Sequence, residues 1–331
     1  MGIENLLERW EIFSHFTEQQ LAQLAQCISR KVYPPGTAVV KEGEHTHAAY
    51  LIQSGGIRIQ RKTPYGLFSL ALLQPGTLFG EASFVDRHPR SGDAITTGET
   101  ELFGLDPDTL QSLMEKDQRF QLALYWTFWK SLSAKLRQTN QNLTHFFSET
   151  GRPPSTEAAA SPTAGEFRVD MASKRKLFQE QKLSNMEINF LTSLSKERKF
   201  GPHQVIFREG EMGNELYVVL EGRVMISKYI PGAGEEALAF LERGGYFGEM
   251  ALIDHEPRSA DAKAYEDGAV VLAIPREVVE GILDIHKISS IRLLTILCHL
   301  VAGRLRELDE KVIGWFIIAG GSGISWPVPQ K

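Results

Sequence analysis

The chain has 331 residues, which is long for one domain and suits two, because domains usually contain about 100 to 200 residues. Hydrophobic residues make up 42% and charged residues 23%, a composition typical of folded globular proteins and unlike that of disordered or fibrous ones. The formal net charge of −5 provides no basic field to attract a nucleic-acid backbone or an anionic membrane. These bulk properties argue against nucleic acid and membrane partners.

The N-terminus and the cysteines indicate a cytoplasmic location. Glu4 and Glu8 lie where a secretory signal peptide would have a basic segment and then an apolar run. The longest apolar stretches, around 291–300 and 315–318, fall short of the roughly 20 apolar residues needed to cross a bilayer. Cys27 and Cys298 lie in amphipathic segments far apart, where free cysteine packs as a small hydrophobe. We therefore expect a cytoplasmic protein without a membrane span.

The first half of the chain combines a helical pattern with closely spaced strands. Apolar residues three and four apart predict a helix over 18–28. Short β-like runs follow over 38–41, 49–52, 57–60, 68–72, 94–97 and 101–105. Runs at this spacing predict a jelly roll or small barrel. Gly55 and Gly56 are placed at a sharp hairpin turn, since only glycine adopts positive φ without steric cost.

A long helix predicted over 117–147 closes this half and carries an aromatic-rich stripe. The stripe consists of Leu122, Tyr125, Trp126, Trp129, Leu132 and Leu136. Core packing is the ordinary role of such a stripe. The alternatives are a lid over a ligand or an interface with another subunit, because aromatic residues are enriched at binding surfaces. Residues 148–168 are rich in Pro, Ser, Ala and Gly and predict a flexible linker.

The second half repeats the first. Three motifs recur in register: Glu42-Gly43-Glu44 as Glu209-Gly210-Glu211, Tyr50-Leu51-Ile52 as Tyr217-Val218-Val219, and Phe79-Gly80-Glu81 as Phe247-Gly248-Glu249. The offset changes from 167 to 168 at the third motif, and we assign the extra residue to a hairpin loop at 231–234. Gly222 is predicted at a hairpin turn, and helices are predicted over 171–194 and 282–311.

The duplication predicts the fold class and the domain bounds. The class is α+β, mainly β, with two jelly-roll β-barrels that are each flanked by helices. The predicted bounds are 1–147 for the first domain with its long helix, 148–168 for the linker and 169–312 for the second domain. Residues 313–331 form an apolar, glycine-rich tail that docks either on this chain or on a partner, by strand addition or as a pocket anchor.

Each half contains one string that we call a cassette. The first cassette, residues 79–94, reads FGEASFVDRHPRSGDA, and the second, residues 247–262, reads FGEMALIDHEPRSADA. In both, an arginine preceded by proline follows the glutamate by nine residues. Both strings resemble the phosphate-binding cassette of the cyclic-nucleotide-binding domain, which occurs in bacterial catabolite activators, kinase regulatory subunits and cyclic-nucleotide-gated channels. The resemblance covers most of residues 13–300.

The resemblance implies a ligand site in each copy. The glycine lets the backbone approach the sugar-phosphate, and amides at the start of a short helix point at the anion. The arginine grips two phosphate oxygens, the glutamate accepts a hydrogen bond from the ribose 2′-hydroxyl, and the serine contacts phosphate. The predicted site residues are Gly80, Glu81, Ala82, Ser83, Arg90 and Ser91 in the first copy, and Gly248, Glu249, Met250, Ala251, Arg258 and Ser259 in the second.

The first cassette departs from the family pattern at Ser83 and Phe84, where alanine and leucine are usual. Phe84 either crowds the pocket or fills the core. The stretches 86–88 and 254–256 are charged where the family often has small or neutral residues, which bears on selectivity.

The ligand implied by the resemblance is cyclic AMP. Serine after the arginine occurs in cyclic AMP binders, whereas threonine there often accompanies cyclic GMP, so Ser91 and Ser259 favour cyclic AMP and leave cyclic GMP as the alternative. A cyclic dinucleotide would need a second cation near the pocket, for which Arg87 is the candidate in the first cassette.

Other classes of protein have less support. DNA-binding relatives add a winged helix-turn-helix, whereas the residues after Leu283 predict one helix and a tail. Kinase regulatory subunits carry an arginine-rich inhibitory segment before the first domain, where this chain has Arg9 alone. The nine histidines are scattered, and we find no nucleophile elbow, P-loop or paired metal motif. We expect no enzyme activity, no metal and no cofactor apart from the ligand.

The sequence therefore predicts a cyclic nucleotide sensor with two sites. Binding would rearrange the helices and signal to an unidentified protein effector. The main alternative is a ligand-independent scaffold. A cyclic-dinucleotide receptor and a transcription regulator are further alternatives. A homodimer is also compatible with the aromatic-rich stripe of the long helix.

Overall fold

The computed structural model describes residues 3–148, 169–230, 234–253, 255–283, 291–318 and 320. It divides into two compact units: unit 1 comprises residues 1–135 and 301–331, and unit 2 comprises residues 136–300. The first segment of unit 1 ends twelve residues before the predicted first domain does, and unit 1 also includes residues 301–331. The predicted domain bounds remain a prediction. Most of the predicted linker, the loop residues 231–233 and the tail beyond Ile318, apart from Gly320, lie outside the described residues.

Unit 1 contains a jelly roll and its flanking helices. The helices are α1 (Ile3–Leu7), α2 (Glu18–Gln26), α3 (Glu81–Asp86), α4 (Pro107–Lys116) and the part of α5 (Gln118–Ser148) up to residue 135, with a 3-10 turn at Glu11–Phe13. The strands are β1 (Ile28–Tyr33), β2 (Ala38–Val40), β3 (Ala49–Ser54), β4 (Ile57–Thr63), β5 (Gly66–Leu73), β6 (Leu78–Phe79), β7 (Asp93–Thr96) and β8 (Thr100–Leu105). All six predicted strands are confirmed. The predicted helix over 18–28 ends two residues early, because Ile28 opens β1.

The strands of unit 1 form two four-stranded antiparallel sheets that share a core. Their orders are β1-β8-β3-β6 and β2-β7-β4-β5. Ile52, Phe79 and Leu102 from the first sheet are buried in one cluster with Ile57 and Ala94 from the second. The predicted class is confirmed, and the strands described here make a two-sheet sandwich instead of a closed barrel.

Gly55 and Gly56 do not form the predicted hairpin turn. β3 pairs with β6 and β8, whereas β4 pairs with β5 and β7, so the chain crosses from one sheet to the other between them. Gly55 has a φ of 82°, and a Cβ there would lie 2.4 Å from the carbonyl oxygen of Glu99. The glycine is required by this corner between sheets, because a side chain would overlap the neighbouring backbone.

Unit 2 repeats this arrangement within one larger sheet. Its helices are the part of α5 from residue 136, α6 (Met171–Glu180), α7 (Asn185–Leu194), α8 (Met250–Ile253), α9 (Arg276–Ile282) and the part of α10 (Ile291–Ile318) up to residue 300. The strands are β9 (Lys196–Phe200), β10 (Val205–Phe207), β11 (Glu215–Ile230), β12 (Gly234–Leu241), β13 (Tyr246–Phe247) and β14 (Asp261–Pro275). The sheet has the order β10-β14-β11-β12, with β13 on β11 and β9 on β14. Phe207, Val224 and Val271 are among its buried core residues.

The helix predicted over 171–194 is two helices. α6 ends at Glu180, and Ser184 begins α7 with a capping box: its hydroxyl accepts from the Glu187 amide at 3.3 Å, and the Glu187 carboxylate accepts from the Ser184 amide at 2.7 Å. The helix predicted over 282–311 also differs, because α10 is described from Ile291 and continues to Ile318. The spacing of apolar residues alone did not predict where these helices begin and end.

The prediction of a hairpin turn at Gly222 is wrong, whereas the position of the inserted residue is confirmed. β11 runs without a break through Gly222, whose φ is 73°, and the strand register shifts on both sides of it, which makes a bulge. The last pairs of the corresponding hairpins are Thr63 with Gly66 and Ile230 with Gly234. The loop is therefore one residue longer in unit 2.

The predicted burial of the two cysteines and of the aromatic-rich stripe is confirmed where the structure describes these residues. Cys27 and Cys298 are both buried and are not joined by a disulfide. In unit 1 the stripe of α5 packs into the core, since Leu122, Trp129 and Leu132 are at most 2% exposed. Among the described helices, none combines the length and apolar character needed to cross a membrane.

His15 should make unit 1 sensitive to acid. Its Nε2 lies 3.0 Å from the Ala123 carbonyl oxygen and 2.9 Å from the Thr127 hydroxyl, and burial lowers its pKa from 6.5 to about 4. In the unfolded chain His15 therefore becomes protonated near pH 6.5, whereas in the folded chain it becomes protonated only near pH 4. The contribution of this histidine to the free energy of unfolding is fully present above pH 6.5 and is lost between pH 6.5 and about 4, at up to about 1.4 kcal/mol per pH unit.

We expect His15→Gln to reduce the dependence of the free energy of unfolding on pH between pH 6.5 and about 4. Urea unfolding of unit 1, followed between about pH 7.5 and 4.5, measures the slope. His45→Gln, which changes an exposed histidine of the same unit, is the control. A slope that His15→Gln leaves intact would assign the acid sensitivity to other groups.

Candidate functional site

The first cassette runs from the end of β6 through α3 to the start of β7. Gly80 precedes α3 in the left-handed region, with a φ of 81°. A Cβ there would lie 2.6 Å from Nη1 of Arg90 and 2.7 Å from the carbonyl oxygen of Ala48. Glycine at this position therefore lets the backbone approach the guanidinium.

Arg90 is buried and held by oxygen atoms of the roll, with 5% of its surface exposed. Its Nε donates to the Thr46 hydroxyl at 3.0 Å, Nη1 to the Gly80 carbonyl at 3.0 Å, and Nη2 to the Ala48 carbonyl at 2.7 Å. Burial lowers the pKa of the guanidinium, which nevertheless stays protonated near neutrality, as arginine does in proteins. The cation is thus fixed at the bend between Gly80 and the cassette loop.

Arg258 occupies the same position in the second cassette and is 6% exposed. Its Nη1 donates to the Gly248 carbonyl at 2.6 Å and its Nη2 to the Glu215 carbonyl at 2.8 Å. Gly248 repeats the φ of 81° seen at Gly80. The two sites differ in their further contacts: Nε of Arg90 donates to Thr46, where the second copy has Gly213, whereas the guanidinium carbon of Arg258 lies 4.2 Å from the ring centroid of Phe207, a cation–π contact.

Neither guanidinium is in ion-pair contact with a carboxylate within the described residues, although nearby carboxylates, such as Glu81 for Arg90 and Glu249 for Arg258, attract it electrostatically. The acceptors given above are carbonyl and hydroxyl groups, and neither guanidinium forms an ion pair with a described carboxylate. A buried charge that is neutralised only in part is costly. An anion that reached either guanidinium would offset this cost, so each cassette is suited to bind one.

Glu81 and Glu249 are both 1% exposed. In unit 1, Oε1 of Glu81 accepts hydrogen bonds from the Ser131 hydroxyl at 2.7 Å and from the Lys135 ammonium group. Both donors belong to α5 and contact the same carboxylate oxygen. The glutamate is therefore held in one orientation and paired with a cation, while its second oxygen has no hydrogen-bond donor among the residues that the structure describes.

The other predicted site residues lie on or beside the short cassette helices. Ser83, Met250 and Ala251 are buried, and Ala82 is partly buried. The serine after each arginine is held through its carbonyl oxygen, which accepts from Arg61 at 2.8 Å in the first cassette and from Lys228 at 3.5 Å in the second. These serines are Ser91 and Ser259. The structure thus brings the predicted residues of each copy into one segment around its arginine.

Phe84 fills the core, one of the two roles considered for it. It is 2% exposed and packs edge-on against Phe128, with ring centroids 5.3 Å apart. Arg87, the candidate second cation, is exposed and lies over the Phe84 ring at the end of α3. Within the described ranges, no group of three or more His, Cys, Asp or Glu side chains could hold a metal ion.

Sequence reasoning missed residues that contact the cassettes from distant positions. Arg61 and Lys228 are related by the 167-residue offset of the duplication, and that offset was a usable signal. The residues on the long helices gave no such signal. They are Ser131, Lys135 and Arg306 in unit 1, and Arg137 and Asn140 in unit 2.

Relatives of known function match this chain at low identity. The cGMP-dependent protein kinase 2 of Homo sapiens is 20% identical over 276 residues, which are 83% of this chain and 30% of that protein. A cAMP-dependent protein kinase regulatory subunit of Mucor circinelloides is 25% identical over 255 residues, 77% of this chain and 48% of that protein. The chain thus spans less than half the length of either relative.

A solved structure is similar along most of the chain. The regulatory domain of Toxoplasma gondii PKA, in a co-crystal structure with cAMP, is 19% identical, with a TM-score of 0.32 and coverage of 88% of this chain and 93% of that one.

The family match is more extensive. The cyclic nucleotide-binding domain family matches residues 30–117 and 197–286, which together form more than half of the chain. Each matched region contains one entire cassette, at 79–94 and 247–262. The chain therefore belongs to the cyclic nucleotide-binding domain family and carries two copies of its domain in tandem.

Proposed function

We propose that this chain is a cyclic AMP receptor that binds one nucleotide in each unit. The observation that carries the proposal is the buried guanidinium in each cassette, Arg90 and Arg258, which forms no ion pair with a described carboxylate. A cyclic nucleotide has one negative phosphate diester with two exocyclic oxygens. The planar guanidinium fork is suited to grip such a group.

The remaining roles follow from the family resemblance. Gly80 and Gly248 admit the sugar-phosphate, Glu81 and Glu249 accept the ribose 2′-hydroxyl, and the serines after the arginines contact phosphate. Ala82 and Ser83 in the first site, and Met250 and Ala251 in the second, line the short helices beside the ligand. Serine in both copies favours cyclic AMP over cyclic GMP, although relatives named for each nucleotide match the chain.

The proposed output is a movement of helices that is recognised by a protein effector. A ligand shifts such an equilibrium only by its different affinity for the two arrangements. Both family matches are to a binding domain, so we propose a regulatory protein without catalytic activity. Cys27 and Cys298 are not joined by a disulfide, which suits the reducing cytoplasm in which we place the protein.

Isothermal titration calorimetry with cyclic AMP tests the proposal. We expect two nucleotides per chain, and thermal unfolding should show about 2.7 kcal/mol of added stability for a site filled at 100 times its dissociation constant. Cyclic GMP and a cyclic dinucleotide are titrated in parallel to establish the preferred ligand. No heat and no stabilisation with any of the three would refute the receptor and favour a scaffold. Salt-dependent binding of duplex DNA would instead indicate a transcription regulator.

Lys135→Met should weaken the recognition of the ribose at the first site. Lys135 and Ser131 hold one oxygen of Glu81, which orients the carboxylate, so the second oxygen is available to the 2′-hydroxyl. A hydrogen bond to a charged group contributes about 1.5 to 3 kcal/mol, or roughly 10-fold to 100-fold in affinity. We expect the preference for cyclic AMP over its 2′-deoxy analogue to fall severalfold in the variant.

Calorimetry compares the affinities for cyclic AMP and for its 2′-deoxy analogue. The Arg258→Ala background removes binding at the second site, so that the affinity of the first site is measured alone. Lys130→Met, a change on the same helix, is the matched control. An unaltered ratio of affinities in Lys135→Met would show that the ammonium group does not act on ribose recognition.

A further inference from the structure

Arg306, in the part of α10 that belongs to unit 1, binds the first cassette at three places. Its Nε and Nη2 donate to the two carboxylate oxygens of Asp86 at 2.6 and 3.1 Å. Nη2 also donates to the Ser83 hydroxyl at 3.0 Å, and Nη1 donates to the Pro89 carbonyl at 2.9 Å. The side chains of Arg306 and Asp86 are only 18% and 7% exposed, so this bidentate pair is largely protected from water.

Two further contacts hold the same helical segment against the first roll. Nη1 of Arg61 donates both to the Ser91 carbonyl at 2.8 Å and to the Glu310 carboxylate at 2.7 Å. The rings of Phe68 and Phe316 lie 4.6 Å apart, and both side chains are buried. The segment is therefore attached beside the start and the end of the cassette and also further along the roll.

The second cassette shows which part of this arrangement is specific to the first. There the carbonyl of Pro257 accepts a hydrogen bond from Arg137 at 2.8 Å, which repeats the contact of Arg306 with Pro89. The position of Ser83 is occupied by Ala251, which offers no side-chain acceptor. The serine that departs from the family pattern is thus the residue that gives Arg306 an additional partner.

We propose that Arg306 is a positioning residue of the first nucleotide site, an inference that rests on the proposed function. Ser83 and Asp86 belong to the helix that begins with Glu81, and Pro89 directly precedes Arg90. One guanidinium therefore links the segment that carries the glutamate to the one that carries the arginine. The spacing between the two ligand-binding groups, and hence the affinity of the site, depends on a residue 217 positions beyond Pro89.

Arg306→Gln in an Arg258→Ala background tests the proposal, with cyclic AMP binding to the first site measured by calorimetry. We expect affinity to fall by about tenfold or more, because the variant breaks a hydrogen-bonded charge pair with little exposure to water. The melting temperature without ligand is recorded beside it, and Glu307→Gln, at an exposed neighbour on the same helix, is the matched control. An affinity that stays within twofold of the background would overturn the proposal.

A second set of variants excludes a general loss of packing. Asp86→Asn and Ser83→Ala change the cassette side of the contact, and each should weaken binding in the same direction. Combined with Arg306→Gln, Asp86→Asn should add little, because both changes break one interaction. Additive losses would mean that Arg306 acts elsewhere and would overturn the inference.

Hydrogen exchange of the ligand-free chain separates this inference from the proposed function. Arg306→Gln should speed exchange of the amides over residues 81–90 if the arginine holds the cassette. If the background chain binds no nucleotide, the proposed function fails, and unchanged exchange would then also overturn the positioning role. If the background chain binds and the variant binds equally well, only the positioning role fails.

Discussion

Arg258→Ala should remove one of two bound nucleotides per chain, and Arg90→Ala should remove the other. Each guanidinium is buried and bonded to backbone carbonyls, so the phosphate would meet a cation already held in place. Truncating one partner of a buried, hydrogen-bonded charge pair costs about 2 to 5 kcal/mol, which is roughly 30-fold to several thousand-fold in affinity. The double variant should bind no cyclic AMP.

Lysine at the same positions separates charge from geometry. Lysine keeps the positive charge but lacks the planar fork, so Arg90→Lys and Arg258→Lys should retain more affinity than the alanine variants and less than the original chain. Arg30→Ala is the matched control, since the Arg30 side chain is 60% exposed and forms a surface pair with Glu101 in unit 1.

Calorimetry provides both the stoichiometry and the affinity of each variant. The ligand-free unfolding midpoint is measured in parallel, because the Gly80 and Gly248 carbonyls lose a donor when the arginines are truncated. Two nucleotides bound with unchanged affinity in either alanine variant would show that its phosphate does not meet that arginine.

Gly222→Ala should destabilise unit 2 far more than Gly210→Ala. Both glycines have left-handed φ angles, 73° and 83°. A Cβ at Gly222 would lie 2.1 Å from the carbonyl oxygen of Gly268, whereas a Cβ at Gly210 would meet nothing within 4 Å. The backbone cost common to both is about 1 to 2 kcal/mol. The overlap at Gly222 should raise the total to about 3 kcal/mol or more, because two paired strands must move apart.

The duplication supplies the same comparison in unit 1. Gly55 corresponds to Gly222 and Gly43 to Gly210 at the offset of 167. A Cβ at Gly55 would lie 2.4 Å from the Glu99 carbonyl oxygen, and a Cβ at Gly43 would meet nothing within 4 Å. Gly55→Ala should therefore be costly and Gly43→Ala mild. Urea unfolding of the four variants measures these costs, and equal losses within a pair would mean that φ alone accounts for the effect.

The amino-acid sequence by itself determined the duplicated organisation and the strands of the first roll. Alternating apolar residues and glycines act over a few neighbours, so their pattern is visible without a structure. The cassettes were predictable for the same reason. Gly80 and Arg90, like Gly248 and Arg258, are joined by a short segment, and their spacing along the chain fixes which groups meet.

Only the tertiary structure decided how the glycines and the long helices are used. Gly55 marks a corner between sheets and Gly222 a bulge, because strand pairing, which no local pattern records, determines what each glycine joins. Lys135 contacts Glu81 from 54 positions along the chain. Arg306 contacts Asp86 from 220 positions along the chain. Such contacts depend on where whole helices pack, and helix packing follows from burial of apolar faces summed over many residues. The spacing of charged residues along the chain therefore did not predict these contacts with the first cassette.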